Sequence, residues 1–234
     1  MIHGDCADKL IVSARIAGAQ RDRDGIALFL VDGNQPGLSR RGYLTQDRLR
    51  AADIELADVR VGPEAVIGTA GAAIPLIEQV VDGAIAALCA EAVGVMTQTL
   101  DLTVDYLKTR KQFGVAIGSF QALQHRAVDM LVMVEQARSM ALLATMMAEE
   151  VNVDETTADD RRRAIAAAKV QVGKSAKFVG QQAIQLHGGI GMTEECQVGH
   201  YFRRLTMIEL AFGDGDHHLK VLAEAGGLLG VNAA

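Results

Sequence analysis

Apolar residues follow two different periods along this chain, and the change comes near residue 70. Before it, short apolar runs alternate with turn residues. Leu10-Ile11-Val12 and Ile26 to Val31 have the length and β-branched content of strands. Asp32-Gly33-Asn34 and Pro36-Gly37 punctuate them as turns. The stretch Ala52 to Val59 alternates polar and apolar residues, as a half-buried strand does.

After about residue 72 the period becomes helical. Ile85, Leu88, Ala92, Val95, Thr99, Leu102 and Tyr106 recur at steps of three and four. So do Leu123, Ala127, Met130, Val134, Ala137, Ala141 and Ala144, and again Ala168, Val172, Ala176, Val179 and Ala183. Such stripes are the buried faces of long helices, and their many alanines allow close approach. The charge-dense segment Glu149 to Arg163 interrupts the pattern and suits a solvated loop, with Thr157 the N-cap of the next helix. A last short helix follows His217. These patterns predict a mainly α protein, an antiparallel four-helix bundle over residues 71–234, preceded by a β-rich part over residues 1–70.

Composition narrows the possible partners. Net charge is −6 and the pI about 5.5, so no basic surplus exists to neutralise a nucleic acid. Cys6, Cys89 and Cys196 are far apart and odd in number, which predicts reduced, buried thiols in a cytoplasmic protein. No unbroken apolar run reaches the roughly 18 residues of a membrane span. Metal is not expected either: His217-His218 lacks the Glu-x-x-His pairs on facing helices that a di-iron bundle uses.

Two polar segments stand out from the stripes. Arg110-Lys111-Gln112-Phe113-Gly114 ends the first long helix, with Phe120-Gln121 downstream. Its cations suit a helix C-terminus and its glycine the residue just past one; equally, Arg110 can fork onto a phosphate while Phe113 offers a ring face. Gln185-Leu186-His187-Gly188-Gly189-Ile190-Gly191 must end another helix, and its glycines allow either a tight turn or a close backbone approach to a ligand. It follows a helix rather than a strand, so it is not a Rossmann fingerprint.

In combination and in this order, these segments resemble the acyl-CoA dehydrogenase family, whose pattern continues through Thr193-Glu194-Glu195. Phe29-Leu30-Val31, Pro36-Gly37-Leu38, Asp58 to Val61 and Val66-Ile67-Gly68 are similar to the end of that family's small barrel-like middle β-domain. The resemblance implies an FAD-dependent enzyme that removes hydrogens from the α and β carbons of an acyl-CoA thioester. A carboxylate takes the proton and FAD the hydride, and electron-transfer flavoprotein is the acceptor. It also implies a homo- or hetero-oligomer in which FAD lies across the subunit interface. On this sequence the FAD contacts fall on Arg110, Gln112, Phe113, Gln121, Gln185, Gly188 and Gly189. A further family contact falls on Asp214, Gly215 and Asp216, where an acidic pair would repel a pyrophosphate.

The departures bear on mechanism. The family's usual basic Glu falls on Phe212, within Ala211-Phe212-Gly213; a shift of one residue puts Gly213 there. The alternative base position is Ala84, and the Arg beside it is Ile85. The resemblance also implies that the segments holding most of the flavin ring are missing from this chain. Three readings stay open. One is a base-less subunit completing a partner's FAD site, similar to small subunits of heteromeric members acting on dicarboxylic or steroid side-chain acyl-CoAs. Another is a self-sufficient dehydrogenase using Asp214, or Glu91 as a buried carboxylate. The last is a structural helical protein without flavin.

Overall fold

The computed structural model describes residues 1–149 and 155–226. By its contacts the chain divides into two units, Met1–Val80 and Val81–Ala234.

In the first unit, β1 (Lys9–Arg15) and β2 (Ile26–Asp32) pair antiparallel with Lys9 opposite Asp32. The short β5 (Val66–Ile67) joins the other side of β2. Leu10, Ala27, Leu28 and Val31 are buried here, while Ile11 is 63% exposed on the edge strand β1. The Asp32 turn forms as the sequence predicts, because the Asp32 carboxylate accepts the Asn34 amide at 3.0 Å. A separate ribbon pairs β3 (Leu38–Leu44) with β4 (Arg50–Leu56). The strand expected over residues 52–59 therefore lies earlier; Asp58 takes φ +52 and leaves the extended range. β3 was not expected: its Ser39-Arg40-Arg41-Gly42 core carries no apolar alternation.

The second unit is the helical bundle. α1 (Ile74–Thr109), α2 (Gln121–Ala148), α3 (Glu155–His187) and α4 (Gln197–Leu210) share one core, with Met96, Met130, Val172 and Leu205 all 1% exposed or less. Contacts fix the directions. Arg126 reaches Gln182 and Gln136 reaches Gln171, so α2 and α3 run antiparallel. Asp82 pairs with Arg161 and Tyr106 with His187, so α1 and α3 run parallel. Phe202 packs on Gly180, where a built Cβ would lie 2.6 Å from the ring, and Glu209 on Gly173, so α4 returns against α3. A short α5 (Gly215–Glu224) closes the described part, and its Leu222 packs with Ala166 and Ala167 of α3.

Four expectations change here. The charge run is not a loop over its whole length, because α3 is helical from Glu155; Arg161 turns inward, with Nε 2.9 Å from the Asp82 carboxylate. Thr157 therefore stands inside α3 rather than at its N-cap, and residues 150–154 lie outside the described residues. The last helix starts at Gly215, so His217 and His218 stand in its first turn. Of the three free cysteines only Cys89 is buried, while Cys6 is exposed. Finally, α1 and α2 each contain an 18-residue window of mean hydropathy 1.7 and 1.2, long and apolar enough by composition to cross a membrane. These helices reach that hydropathy with polar residues interspersed, so no unbroken apolar run marks them. Their inner faces supply much of the bundle core.

Candidate functional site

The two polar segments meet at one end of the bundle. The Tyr106 ring stacks on the His187 ring, with centroids 4.5 Å apart and planes 20° from parallel. The Tyr106 hydroxyl donates to the His187 carbonyl at 3.4 Å, and the His187 Nδ1 lies 2.9 Å from the Ala183 carbonyl. Arg110 follows Tyr106 by one helical turn and Gly188 follows His187 directly. A mainly apolar cavity of about 350 Å³ opens beside them, lined by Leu102, Tyr106, His187, Ile190, Cys196 and Val198. The sequence places Tyr106 in a buried stripe and His187 before the glycines, without joining the two. Their common step toward the helix ends was the available signal.

The first segment is a hairpin rather than a helix cap. The Arg110 amide closes the last turn of α1 on the Tyr106 carbonyl. Then β6 (Lys111–Gln112) pairs with β7 (Val115–Ala116) around Phe113-Gly114. Both corner residues have positive φ, +53 and +83, as a two-residue I′ turn requires. Gly114 is thus the second corner of this turn, not the residue just past the helix. Phe113 pays a small conformational strain and is 90% exposed, touching Phe120 edge-on at 6.2 Å. Arg110, Gln112 and Gln121 are exposed, and among the described residues their side chains have no hydrogen-bond or ion-pair partner.

In the second segment, Gln185 is exposed on the last turn of α3. Gly188, at φ +66, and Gly189 open a 3-10 turn, and a Cβ built on either meets nothing within 4 Å among the described residues. The glycines therefore leave room for something from outside the chain. An unpaired guanidinium, an exposed ring and an open glycine turn are a donor set that fits an anionic, ring-bearing ligand.

The expected base positions are held by other means. Phe212 has φ +56 and a half-exposed side chain, and Gly213 follows at φ +97. Two buried side chains pin this turn. Lys169, 2% exposed, donates to the carbonyls of Ile208 at 3.0 Å, Glu209 at 2.6 Å and Gly213 at 3.0 Å. His218 Nε2 donates to the Phe212 carbonyl at 3.0 Å, while its buried Nδ1 has no partner among the described residues. Burial pushes the pKa of both Lys169 and His218 below the ordinary range. Burial likewise raises the nearby Cys89 thiol to about 11, against the pull of the Lys169 charge.

Neither alternative carboxylate is idle. The Asp214 side chain accepts the His217 amide at 2.9 Å and so caps α5. Glu91 is not buried as expected; it is exposed, and both its oxygens accept from Arg204, at 2.6 and 2.7 Å. Among the described residues no cluster of His, Cys, Asp and Glu has metal-binding geometry.

Known proteins resemble this chain in sequence and in fold. A probable acyl-CoA dehydrogenase of Bacillus subtilis is 30% identical over 219 residues, covering 92% of this chain and 56% of that protein. The solved structure of butyryl-CoA dehydrogenase from Megasphaera elsdenii superposes with a TM-score of 0.86 at 25% identity, over 96% of this chain and 57% of that one. The structure of PigA with FAD and proline superposes with a TM-score of 0.84 at 26% identity, over 97% and 58%. The chain spans about half the length of the curated relatives it matches. Residues 75–227 match the family described as the acyl-CoA dehydrogenase C-terminal domain, and the chain belongs to the acyl-CoA dehydrogenase family.

Proposed function

We propose that this chain is a subunit of an FAD-dependent acyl-CoA dehydrogenase, that it reaches with one end of its bundle toward an FAD held mainly by another subunit, and that it has no catalytic base of its own. The observation that carries this reading is the Tyr106–His187 contact, which brings the Arg110 hairpin and the Gly188-Gly189 turn to the same end of the bundle. FAD, when bound, supplies the hydride acceptor for α,β-desaturation of an acyl-CoA thioester. Arg110 would pair with its pyrophosphate and Phe113 would cover a ring. Gln112, Gln121 and Gln185 would offer amides, and Gly188 and Gly189 would admit the cofactor to the backbone. The dehydrogenase names of the relatives and the FAD in the PigA structure support the same cofactor. Electron-transfer flavoprotein as acceptor and a cytoplasmic location belong to this proposal.

No observation favours the self-sufficient alternative. Asp214 is committed to its helix cap and Glu91 to Arg204. The flavin-free alternative leaves Phe113 exposed for no purpose.

The test is the complex of this chain with a base-bearing partner, assayed by flavin absorbance and acyl-CoA-dependent dye reduction. Arg110→Ala with Gln185→Ala should lower flavin affinity by at least about 10-fold, the worth of one charge-assisted contact. Glu91→Gln and Asp214→Asn should leave turnover intact. A colourless complex refutes the flavin role, and turnover lost with either carboxylate refutes the base-less role.

A further inference from the structure

His187 is only 8% exposed, and its two ring nitrogens are treated differently. Nδ1 faces the Ala183 carbonyl at 2.9 Å. A carbonyl only accepts, so Nδ1 carries the hydrogen and Nε2 of the neutral ring is an acceptor. Among the described residues nothing donates to Nε2, yet it is not sealed away as the Nδ1 of His218 is. The residue lines the cavity of about 350 Å³ where the ends of α1 and α3 meet the start of α4. An acceptor in so buried a residue calls for a donor to complete it.

Cys196 lines the same cavity. It holds the N-cap position of α4, but its side chain makes no cap hydrogen bond. Its thiol is small, so space stays open that a bulkier side chain there would enter. Leu102, Ile190 and Val198 are apolar walls and Tyr106 adds a ring. The volume is more than twice the roughly 150 Å³ of a void that takes benzene, and lies at the lower end of the range for small-molecule sites. None of the seven residues expected to contact FAD lines it.

We infer that this cavity is a binding site for a small uncharged aromatic molecule, of one or two rings with a single hydroxyl or N–H donor, a phenol being the simplest case. The ring packs among Leu102, Ile190 and Val198, and the donor reaches His187 Nε2. A carboxylate ligand is disfavoured, because Glu195 also lines the cavity and a charge would lose its water there. A hydrocarbon without a donor fills the space but leaves Nε2 unpaired. A metal is a poor occupant, since no cluster of His, Cys, Asp and Glu among the described residues has the geometry to hold one. The ligand touches both Tyr106 and His187, the stacked pair at this end of the bundle, so its occupancy stiffens that contact. The inference goes beyond the flavin proposal and does not rest on it.

Binding of para-fluorophenol, followed by fluorine NMR, tests it on the full chain, or on its complex with another subunit if it is isolated only that way. Saturable binding with a Kd below about 1 mM is expected. Fluorobenzene, the same ring without a donor, should bind at least about 5-fold more weakly, the worth of one hydrogen bond. His187→Phe should remove that difference. Cys196→Phe, which fills the cavity, should weaken binding by at least about 10-fold. A bulky side chain can also distort the fold, so a second measurement uses the native thiol. In a Cys6→Ser chain, where Cys89 is buried, N-ethylmaleimide alkylates Cys196. Saturating para-fluorophenol should slow that alkylation at least about 5-fold, while para-fluorobenzoate should not. No saturable binding at about 1 mM, equal affinity for para-fluorophenol and fluorobenzene, or alkylation unchanged by the probe each overturn the inference and leave the cavity to solvent. Since no readout uses flavin, a colourless sample that binds the probe sinks the flavin proposal alone, and a yellow one that does not bind it sinks this inference alone.

Discussion

Replacing Lys169 by Met removes a buried ammonium and keeps a chain of similar length. Its Nζ donates to three carbonyls, those of Ile208 and Glu209 at the end of α4 and of Gly213 in the turn beyond. Hydrogen bonds to a charged group contribute about 1.5–3 kcal/mol each, so three sum to about 5–9 kcal/mol before costs. Against that stands the desolvation of the ammonium, several kcal/mol, which Met does not incur. The carbonyls left behind lose about 1 kcal/mol each unless water reaches them. The net expectation is a loss of about 2–4 kcal/mol, which in a chain of this size lowers Tm by about 5–15 °C. Circular dichroism with heat and urea measures the loss, and hydrogen exchange locates it. Amides of residues 208–218 should exchange at least about 30-fold faster while the middle of α2 stays protected. A Tm unchanged within about 2 °C, or raised, would show that the buried charge costs as much as its three bonds return, and the pinning argument would fail.

Three further outcomes follow from the geometry. Asp82→Asn should destabilise by about 3 kcal/mol in urea unfolding, because it leaves the nearly buried Arg161 uncompensated; Asp82→Leu with Arg161→Leu should recover most of that, and equal losses in the two would contradict it. His218, facing Lys169, His217 and Asp214, is held neutral by burial, so its folded pKa lies below the unfolded value of about 6.5. Its contribution is therefore present above pH 6.5 and lost as the pH falls below it; the urea midpoint should drop between pH 7.5 and 5.5, and His218→Gln should flatten that drop. Phe113→Asn should raise stability by about 0.5 kcal/mol, since Asn accepts positive φ more readily, while reducing flavin retention in the complex; unchanged retention would remove Phe113 from the proposed site.

The long helices were legible because burial repeats at steps of three and four, from Ile85 to Tyr106 and from Ala168 to Ala183, and nothing interrupts the rows. α4 was not, since Val198, Leu205 and Ile208 are its only buried residues and arginines and histidine separate them. β3 was hidden for a similar reason: it is a ribbon strand with little burial on either face. The first turns of α3 carry the charge run, and whether charges mean loop or helix depended on Asp82, 79 residues earlier in the chain. At the site, the two motifs were plain in sequence, but their meeting through Tyr106 and His187 was not. Lys169 was the least visible of all, because its partners are main-chain carbonyls some 40 residues on, and a carbonyl has no residue type.

The edge strand β1 has a practical consequence. Among the described residues it pairs only with β2, so the backbone donors and acceptors of every second residue of β1 face outward, beside a well-exposed Ile11 and Ile16. Such an edge is a template on which a strand from any neighbouring chain can add. In concentrated solution the chain by itself carries a route to sheet-mediated aggregation, and whatever covers β1 in the cell acts as a solubility device as well as a structural neighbour.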